Sequence, residues 1–293
     1  MGFQKTSANL KGRQNEMSEI FETQATSLAE FKHCVSNFAQ YSVPSSVSII
    51  DEQYLKTFYR GQSDAQYQCM PSVFRDGLIS NEATIYQKSI EMFPYEFNHL
   101  DCHFDKLCKI QHYGAATRIL DFTIRPEIAL WFASDPKECV NGKVIIYRTT
   151  FTEQSDIGVK ALAFLATYNG NIDETFYSRL RDDLGVNYSN EHLRQLIQKS
   201  YFVLPNITNE RVYRQKGAFL IFGQKEDGEK TVSELDDNFG RGEEYPGYIG
   251  YITIPANCKA SIRKELRKEN FTRKFLLPNI ESSLKKITRD MKK

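Results

Sequence analysis

The stretch "IQHYGAATRILDFTIRPEIALWFASD", residues 110–135, decides how this chain reads. It sets Gln111, His112, Tyr113, Thr117, Arg118, Asp121 and Thr123 within thirteen positions, just ahead of the apolar run "IALWFA". A core segment tolerates few such side chains, because each buried donor or acceptor left unpaired costs about 1–3 kcal/mol. Seven polar groups in one place predict a site. Pro126, tolerated in a first turn, opens a helix over "PEIALWFASD", with Asp121 or Thr123 as its cap. The dipole and free N–H groups of that helix start favour an anion, so a phosphate-bearing ligand is the natural inference.

Outward from this stretch, the preceding "NEATIYQKSIEMFPYEFNHLDCHFDKLCKIQHYG" reads as helical, interrupted at Pro94. Upstream, "KTFYRGQSD" gives a short strand with Arg60 at its end and Gly61 in the turn that follows. "ATSLAEFKHCVSNFAQY", residues 25–41, spaces Leu28, Phe31, Val35 and Phe38 as an amphipathic helix does. Downstream, "GKVIIYRTTF" alternates like a strand and three helical patterns occupy residues 155–199. "GAFLIFG" and "GYIGYITIP" return to strands around an acidic loop, residues 226–244. Helices and strands mix without regular βαβ alternation. The expected fold is α+β, a single domain whose mixed, mainly antiparallel sheet is surrounded by helices. Residues 1–24 read as a loose tail, 25–285 as the domain with a less typical helical region at 150–205, and 286–293 as a basic tail.

Bulk properties exclude several functions. Thirty-eight basic against 37 acidic residues give a net charge of +1, so no global field draws nucleic acid or membrane. Attraction must be local, as in residues 259–293, where 12 basic residues face 4 acidic ones. That stretch reads either as a solvated helix face or as a nucleic-acid stripe built from Lys264, Arg267, Lys268, Arg273 and Lys274. Six scattered cysteines without a CxxC pair, and an N-terminus without an apolar leader core, lead us to expect a reducing, cytoplasmic setting. No apolar run approaches the length of a membrane span, and Gly2 with Thr6 matches the myristoylation pattern only by chance. His99, Cys102, His103 and Cys108 are ligand types that zinc uses, but their spacing matches no zinc motif and no metal is expected. Nucleophile-elbow, Walker and dinucleotide-fingerprint patterns are absent.

Two further segments carry polar residues that composition does not demand. In "FYRGQSDAQYQCMPSVFR", Arg60 suits a phosphate or carboxylate through its planar fork, and Gly61 clears the approach. The competing reading is an internal ion pair of Arg60 or Arg75 with Glu82 or Asp121. In "NERVYRQKGAFLIFG", Arg211 and Gln215 lead into a buried strand, where Gln215 either walls a pocket or caps a strand end. His112 is either a donor or general acid near neutral pH, or a structural hydrogen bonder.

These motifs, in this order, resemble the FRG domain family, named for its Phe-Arg-Gly motif. The likeness runs over about residues 55–285 and ends in "IPANCKASIRKELRKENFTRKFLLPNIES". Arg60, Arg75, Glu82, Gln111, His112, Thr117, Arg118, Asp121, Arg211 and Gln215 match it residue by residue, while Tyr59, Ala116 and Phe122 stand for its usual Phe, Pro and Trp. The family occurs in bacterial and phage proteins suspected of defence or toxin roles. A weaker similarity links the arginine-bearing strand and the threonine-containing segment before "ALWFA" to ADP-ribosyltransferases. That similarity implies NAD as cofactor or substrate, with Arg60 and Arg118 on phosphates and Thr117 or Thr123 on a ribose. The late-strand glutamate of those enzymes is missing from "RQKGAFLIF", so the carboxylate would come from Glu82, Asp121, Glu243 or Glu244. The expectation is a nucleotide-binding effector; a nucleic-acid module and a non-catalytic protein-interaction domain are its rivals.

Overall fold

Period-two runs become strands and period-3.6 runs become helices, mostly where the sequence places them. The computed structural model describes residues 20–41, 55–135, 139–206, 210–231 and 248–278. The strands are β1 (Phe21–Gln24), β2 (Leu55–Gln62), β3 (Ile119–Thr123), β4 (Gly142–Thr150), β5 (Thr152–Glu153), β6 (Tyr201–Leu204), β7 (Gly217–Ile221) and β8 (Tyr248–Ile254). They form one sheet in the order β1-β8-β4-β2-β3-β7-β6-β5. β1–β8 and β5–β6 run parallel and the other neighbours antiparallel, which is the mainly antiparallel α+β arrangement expected.

The helices are α1 (Leu28–Tyr41), α2 (Glu82–Met92), α3 (Pro94–Phe97), α4 (His103–His112), α5 (Pro126–Ala133), α6 (Ile157–Thr167), α7 (Glu174–Leu184), α8 (Asn190–Gln198), α9 (Glu210–Gln215), α10 (Lys259–Lys268) and α11 (Arg273–Leu276). Helix α1 starts where Ser27 Oγ accepts the Glu30 N–H and the Glu30 carboxylate reaches back to the Thr26 N–H, a reciprocal cap. The long helical stretch before His112 breaks at Pro94, as expected, and again before α4, where Cys102 is extended. A 3₁₀ helix at Ser72–Asn81 carries no signal in the sequence. No helix of the described residues is long and apolar enough to cross a membrane.

Apolar side chains cover both faces of the sheet. On one face lie two helical layers. Phe104, Leu162, Phe176 and Leu193 from α4, α6, α7 and α8 pack on Ile119, Phe219 and Ile221. Phe31, Trp131 and Ile262 from α1, α5 and α10 pack on Tyr59, Val144, Ile146 and Ile252. The opposite face joins Phe58, Phe122, Ile145, Tyr147 and Phe202 to Val73 of the 3₁₀ helix. Gly61 is not in a turn, as the sequence suggests, but inside β2. A Cβ there would sit 1.8 Å from the Ala129 carbonyl oxygen, so the glycine lets α5 lie directly on the strand. Gly142 does the same beside the Ala133 carbonyl, where a Cβ would stand at 2.0 Å. The acidic loop is described only to Thr231, so Glu243, Glu244, and the Gly2 and Thr6 pattern lie outside the described residues.

Candidate functional site

The sheet is weakest at its middle. β2 runs against β4 along all of Leu55–Gln62, and β3 against β7 along all of Ile119–Thr123, yet β2 and β3 meet at one pair, Tyr59 with Thr123. Beyond that pair the strands diverge. Across the opening, Arg60 Nη1 donates to the Asp121 carbonyl at 2.6 Å, replacing the ladder bond that a neighbouring strand would supply. The seam also falls between the two helical layers, where Arg60, Asp121 and Thr123 line a cleft while Tyr59 and Phe122 stay buried in the cores on either face.

Three adjoining clefts follow from this divergence. The central one, about 170 Å³, is walled by Tyr59, Arg60, Asp121, Phe122, Arg211 and Gln215. A small cavity of about 20 Å³ continues it past Asp121 and Arg211 to His112 and Cys108. A wider cleft of about 300 Å³ shares Arg60 and Gly61 and extends to Gln62, Tyr67, Arg75, Phe132 and Asp135. Arg60, Gly61, Arg75, His112, Asp121, Thr123, Arg211 and Gln215 are thus brought together along one groove. Arg60, Arg75 and Arg211 form no ion pair with a carboxylate among the described residues.

Other expected site residues point elsewhere. Arg118 is fully buried, and its Nε and Nη2 donate to the two Glu82 carboxylate oxygens at 2.7 and 2.5 Å while Nη1 reaches the Phe222 carbonyl at 3.2 Å. Lys230, which the sequence reading missed, adds its Nζ 3.3 Å from Glu82. This pairing corrects the assignment of Arg118 to phosphate and of Glu82 to the reacting carboxylate, because neither reaches the groove. Thr117 Oγ1 is buried, donating to Gln111 Oε1 at 2.7 Å and accepting from the Ile119 N–H at 3.3 Å. Thr123 Oγ1 donates to the Gln215 carbonyl at 2.6 Å and accepts from the Arg125 N–H at 3.0 Å. Both hydroxyls are committed to the backbone or a neighbour, which corrects their assignment to a ribose. Tyr113 is exposed, with its hydroxyl 3.4 Å from Glu96, off the groove.

Gln111 stands behind the site, its Nε2 3.5 Å from Asp121 Oδ2 and its Oε1 held by Thr117, so it orients Asp121. Gln215 combines both readings offered for it: it lines the groove, and its Nε2 donates to the Leu276 carbonyl at 2.9 Å, tying α9 to α11. The expected anion seat at the start of α5 is not formed. Pro126 has no N–H, the Ile128 and Ala129 N–H groups bond back to the Arg125 carbonyl, and the Glu127 carboxylate occupies the first turn. Neither Asp121 nor Thr123 is the N-cap, which is Arg125.

His112 is held below its ordinary pKa by burial and by the nearby Arg211 charge, against a smaller opposing pull from Asp121. It is therefore neutral at neutral pH and able to accept a proton. Burial pushes the neighbouring Cys108 thiol well above its usual range, which removes it as a nucleophile. Away from the groove, His103 faces Tyr86 Oη at 2.9 Å and Asp183 at 3.6 Å rather than a set of thiol ligands. Sequence reading also missed Gln62, which the period of two places on the same strand face as Arg60, and Phe132, which gave no polar signal.

Residues 55–141 match the FRG domain, and this stretch of the chain is an FRG domain. The match runs from β2 through α5 and stops just before β4, so it contains both strands of the seam but not Arg211 or Gln215. No curated protein and no solved structure matches the chain.

Proposed function

We propose that the FRG domain binds a phosphate-bearing nucleotide, with NAD as the leading candidate, in the groove opened between β2 and β3, and acts as an ADP-ribosyltransferase-like effector in bacterial phage defence or toxicity. The observation that carries the binding reading is the set of Arg60, Arg75 and Arg211, which line adjoining clefts and form no ion pair among the described residues, although the carboxylates of Asp121 and Asp135 line the same clefts. Buried or half-buried arginines ordinarily pair internally, as Arg118 does with Glu82. Half-buried Arg60 and Arg211, with the exposed Arg75 beside them and none in an ion pair among the described residues, suit an anion with several charges. The transferase and defence readings rest on the family resemblance.

In this reading Arg60 and Arg211 hold the phosphates and Asp121 supplies the carboxylate that the late strand lacks. Asp121 lines the central cleft with both arginines and is oriented by Gln111. As the glycosidic C–N bond of NAD breaks, nicotinamide leaves with the bonding pair and positive charge grows on the ribose. A preorganised carboxylate stabilises that charge. The acceptor's lone pair forms the new bond, and neutral His112 takes the proton the acceptor sheds.

Thermal unfolding with NAD, with ATP and with short oligonucleotides tests the reading, since a ligand bound only by the native state raises stability by mass action. A shift with NAD or ATP that Arg60→Ala abolishes supports it; a shift unchanged by Arg60→Ala overturns it. A shift with oligonucleotide alone, falling steeply with salt, would favour the nucleic-acid reading instead. Lys264, Arg267, Lys268, Arg273 and Lys274 are exposed on α10 and α11, as that alternative needs, whereas Lys259 is buried with its Nζ on the Ser63 carbonyl at 2.6 Å.

A further inference from the structure

Beside the groove, β2 carries a buried acceptor and a buried donor that have no hydrogen-bond partner among the described residues. Gln62 is 5% exposed, and its Nε2 donates to the Gln68 carbonyl at 3.3 Å, which fixes the orientation of the amide. Its Oε1 is left buried with no hydrogen-bond partner among the described residues. Two residues earlier, on the same strand face, Arg60 Nε is likewise buried and unpartnered, since the Arg60 bond to β3 uses Nη1. Native proteins satisfy nearly all such atoms, so an unmet acceptor and an unmet donor two residues apart on one strand face point to a missing partner.

The chemistry of that partner is restricted. A phosphate offers acceptors only; it would satisfy Arg60 and leave Gln62 Oε1 empty. One group that meets both atoms needs an N–H and an acceptor on adjacent positions of the same edge. Gln62 and Arg60 line the wide cleft together with two aromatic residues, Tyr67 and Phe132. A heteroaromatic ring with an amide or amino edge combines these properties.

We propose that the cleft beyond Arg60 is the ring subsite of the bound nucleotide, where Gln62 Oε1 accepts from an amide or amino N–H on the ring and Arg60 Nε donates to the adjoining acceptor. This rests on the nucleotide reading and adds a direction to it: phosphates toward Arg211, ring toward Gln62. Both ends of a nicotinamide adenine dinucleotide carry such an edge, the carboxamide at one and the 6-amino edge of adenine at the other.

Calorimetric titration of the full chain with NAD and two analogues decides between them. The 3-acetylpyridine dinucleotide replaces the carboxamide NH₂ by a methyl group, and the hypoxanthine dinucleotide replaces the adenine amino group by an oxo group. The analogue altered at the seated ring should bind roughly tenfold more weakly than NAD, while the other binds as NAD does. Gln62→Leu, or Gln62→Met if the first does not fold, should weaken NAD to the level of that analogue and erase the discrimination. NAD binding that depends on Arg60 but does not distinguish either analogue in the wild-type protein would overturn the ring subsite and leave the nucleotide reading standing. No binding of NAD would overturn the ring subsite, and no binding of ATP either would overturn the nucleotide reading with it.

Discussion

Replacing Arg118 by methionine separates a structural arginine from a ligand-binding one. Arg118 and Glu82 are 0% and 1% exposed at their side chains, and Lys230 is 7% exposed, so three charges share a site closed to water. Removing one partner of such a pair costs about 3–5 kcal/mol, because the carboxylate stays buried with less to compensate it. Arg118→Met also strips the Phe222 carbonyl of its side-chain donor. For a chain of this size 1 kcal/mol moves Tm by roughly 2–4 °C, so Tm should fall by about 6–20 °C. The pH response gives an independent sign. Burial alone would raise the Glu82 pKa, but the charge and hydrogen bonds of Arg118, helped by Lys230, outweigh it and hold the carboxyl below its ordinary range. Stability from this group is therefore complete above the unfolded carboxylate pKa and is lost as pH falls through the lowered folded value. Arg118→Met should flatten that acid limb. The triple variant Arg118→Met, Glu82→Leu, Lys230→Met removes all three charges and should recover most of the loss, since apolar replacements of buried ion pairs are often neutral. The reasoning fails if Arg118→Met unfolds within about 1 kcal/mol of wild type, or if the triple variant loses as much as the single changes summed.

Gly61→Ala places a Cβ 1.8 Å from the Ala129 carbonyl oxygen, so β2 and α5 must part. It should lower stability by about 1–3 kcal/mol or more in thermal unfolding and distort the Arg60 wall; an unchanged Tm would contradict the close packing. His112 should titrate by NMR below the ordinary histidine range, moving up in Arg211→Met and further down in Asp121→Asn. Because His112 gains its charge only below that lowered pKa, binding of an anionic nucleotide should strengthen on acidification there and stay flat above it. Lys230, lowered by burial to about 8 against a partial counter-pull from Glu82, is deprotonated in the fold before it is in the unfolded chain. Stability should therefore rise with pH between about 8 and the ordinary lysine value of 10.5, and urea unfolding of Lys230→Met should show no such rise.

Local patterns were legible because they depend on neighbours in sequence. The alternation in "GKVIIYRTT" and the i, i+3 and i+4 spacing in "LAEFKHCVSNF" give β4 and α1 directly. Even there, the face is only approximate: Cys34 is buried where Val35 was expected to be, with Val35 partly buried at the edge of the cluster. The 3₁₀ helix at Ser72–Asn81 was not legible, since its eclipsed spacing leaves no strong periodic mark and only Val73 enters the third core fully buried. Nor was the opening between β2 and β3, because it depends on how residues sixty positions apart fail to pair.

The same limit explains why a dense polar motif proved to be two networks rather than one site. β3 is covered on both faces, so alternation there does not sort inward from outward residues. Arg118 and Thr117, one and two positions before the strand, turn inward to Glu82 and Gln111, whereas Asp121, within it, turns to the seam. The two networks are joined through Gln111, which Thr117 holds and which in turn faces Asp121. This gives the motif a physical logic: the buried pairs fix β3 and α4, so that β3 leaves β2 after the Tyr59–Thr123 pair and opens the seam at Arg60 and Asp121. A substitution in the buried set should then impair ligand binding only as far as it loosens the fold, while one at Arg60 should impair binding with the fold intact. Comparing loss of stability with loss of nucleotide affinity across Thr117→Val, Arg118→Met and Arg60→Ala tests that division. Thr117→Val should lower stability by about 1–2 kcal/mol through lost hydrogen bonds, with affinity falling in proportion. An affinity loss in Thr117→Val as large as that in Arg60→Ala, at unchanged stability, would place the threonine at the ligand after all.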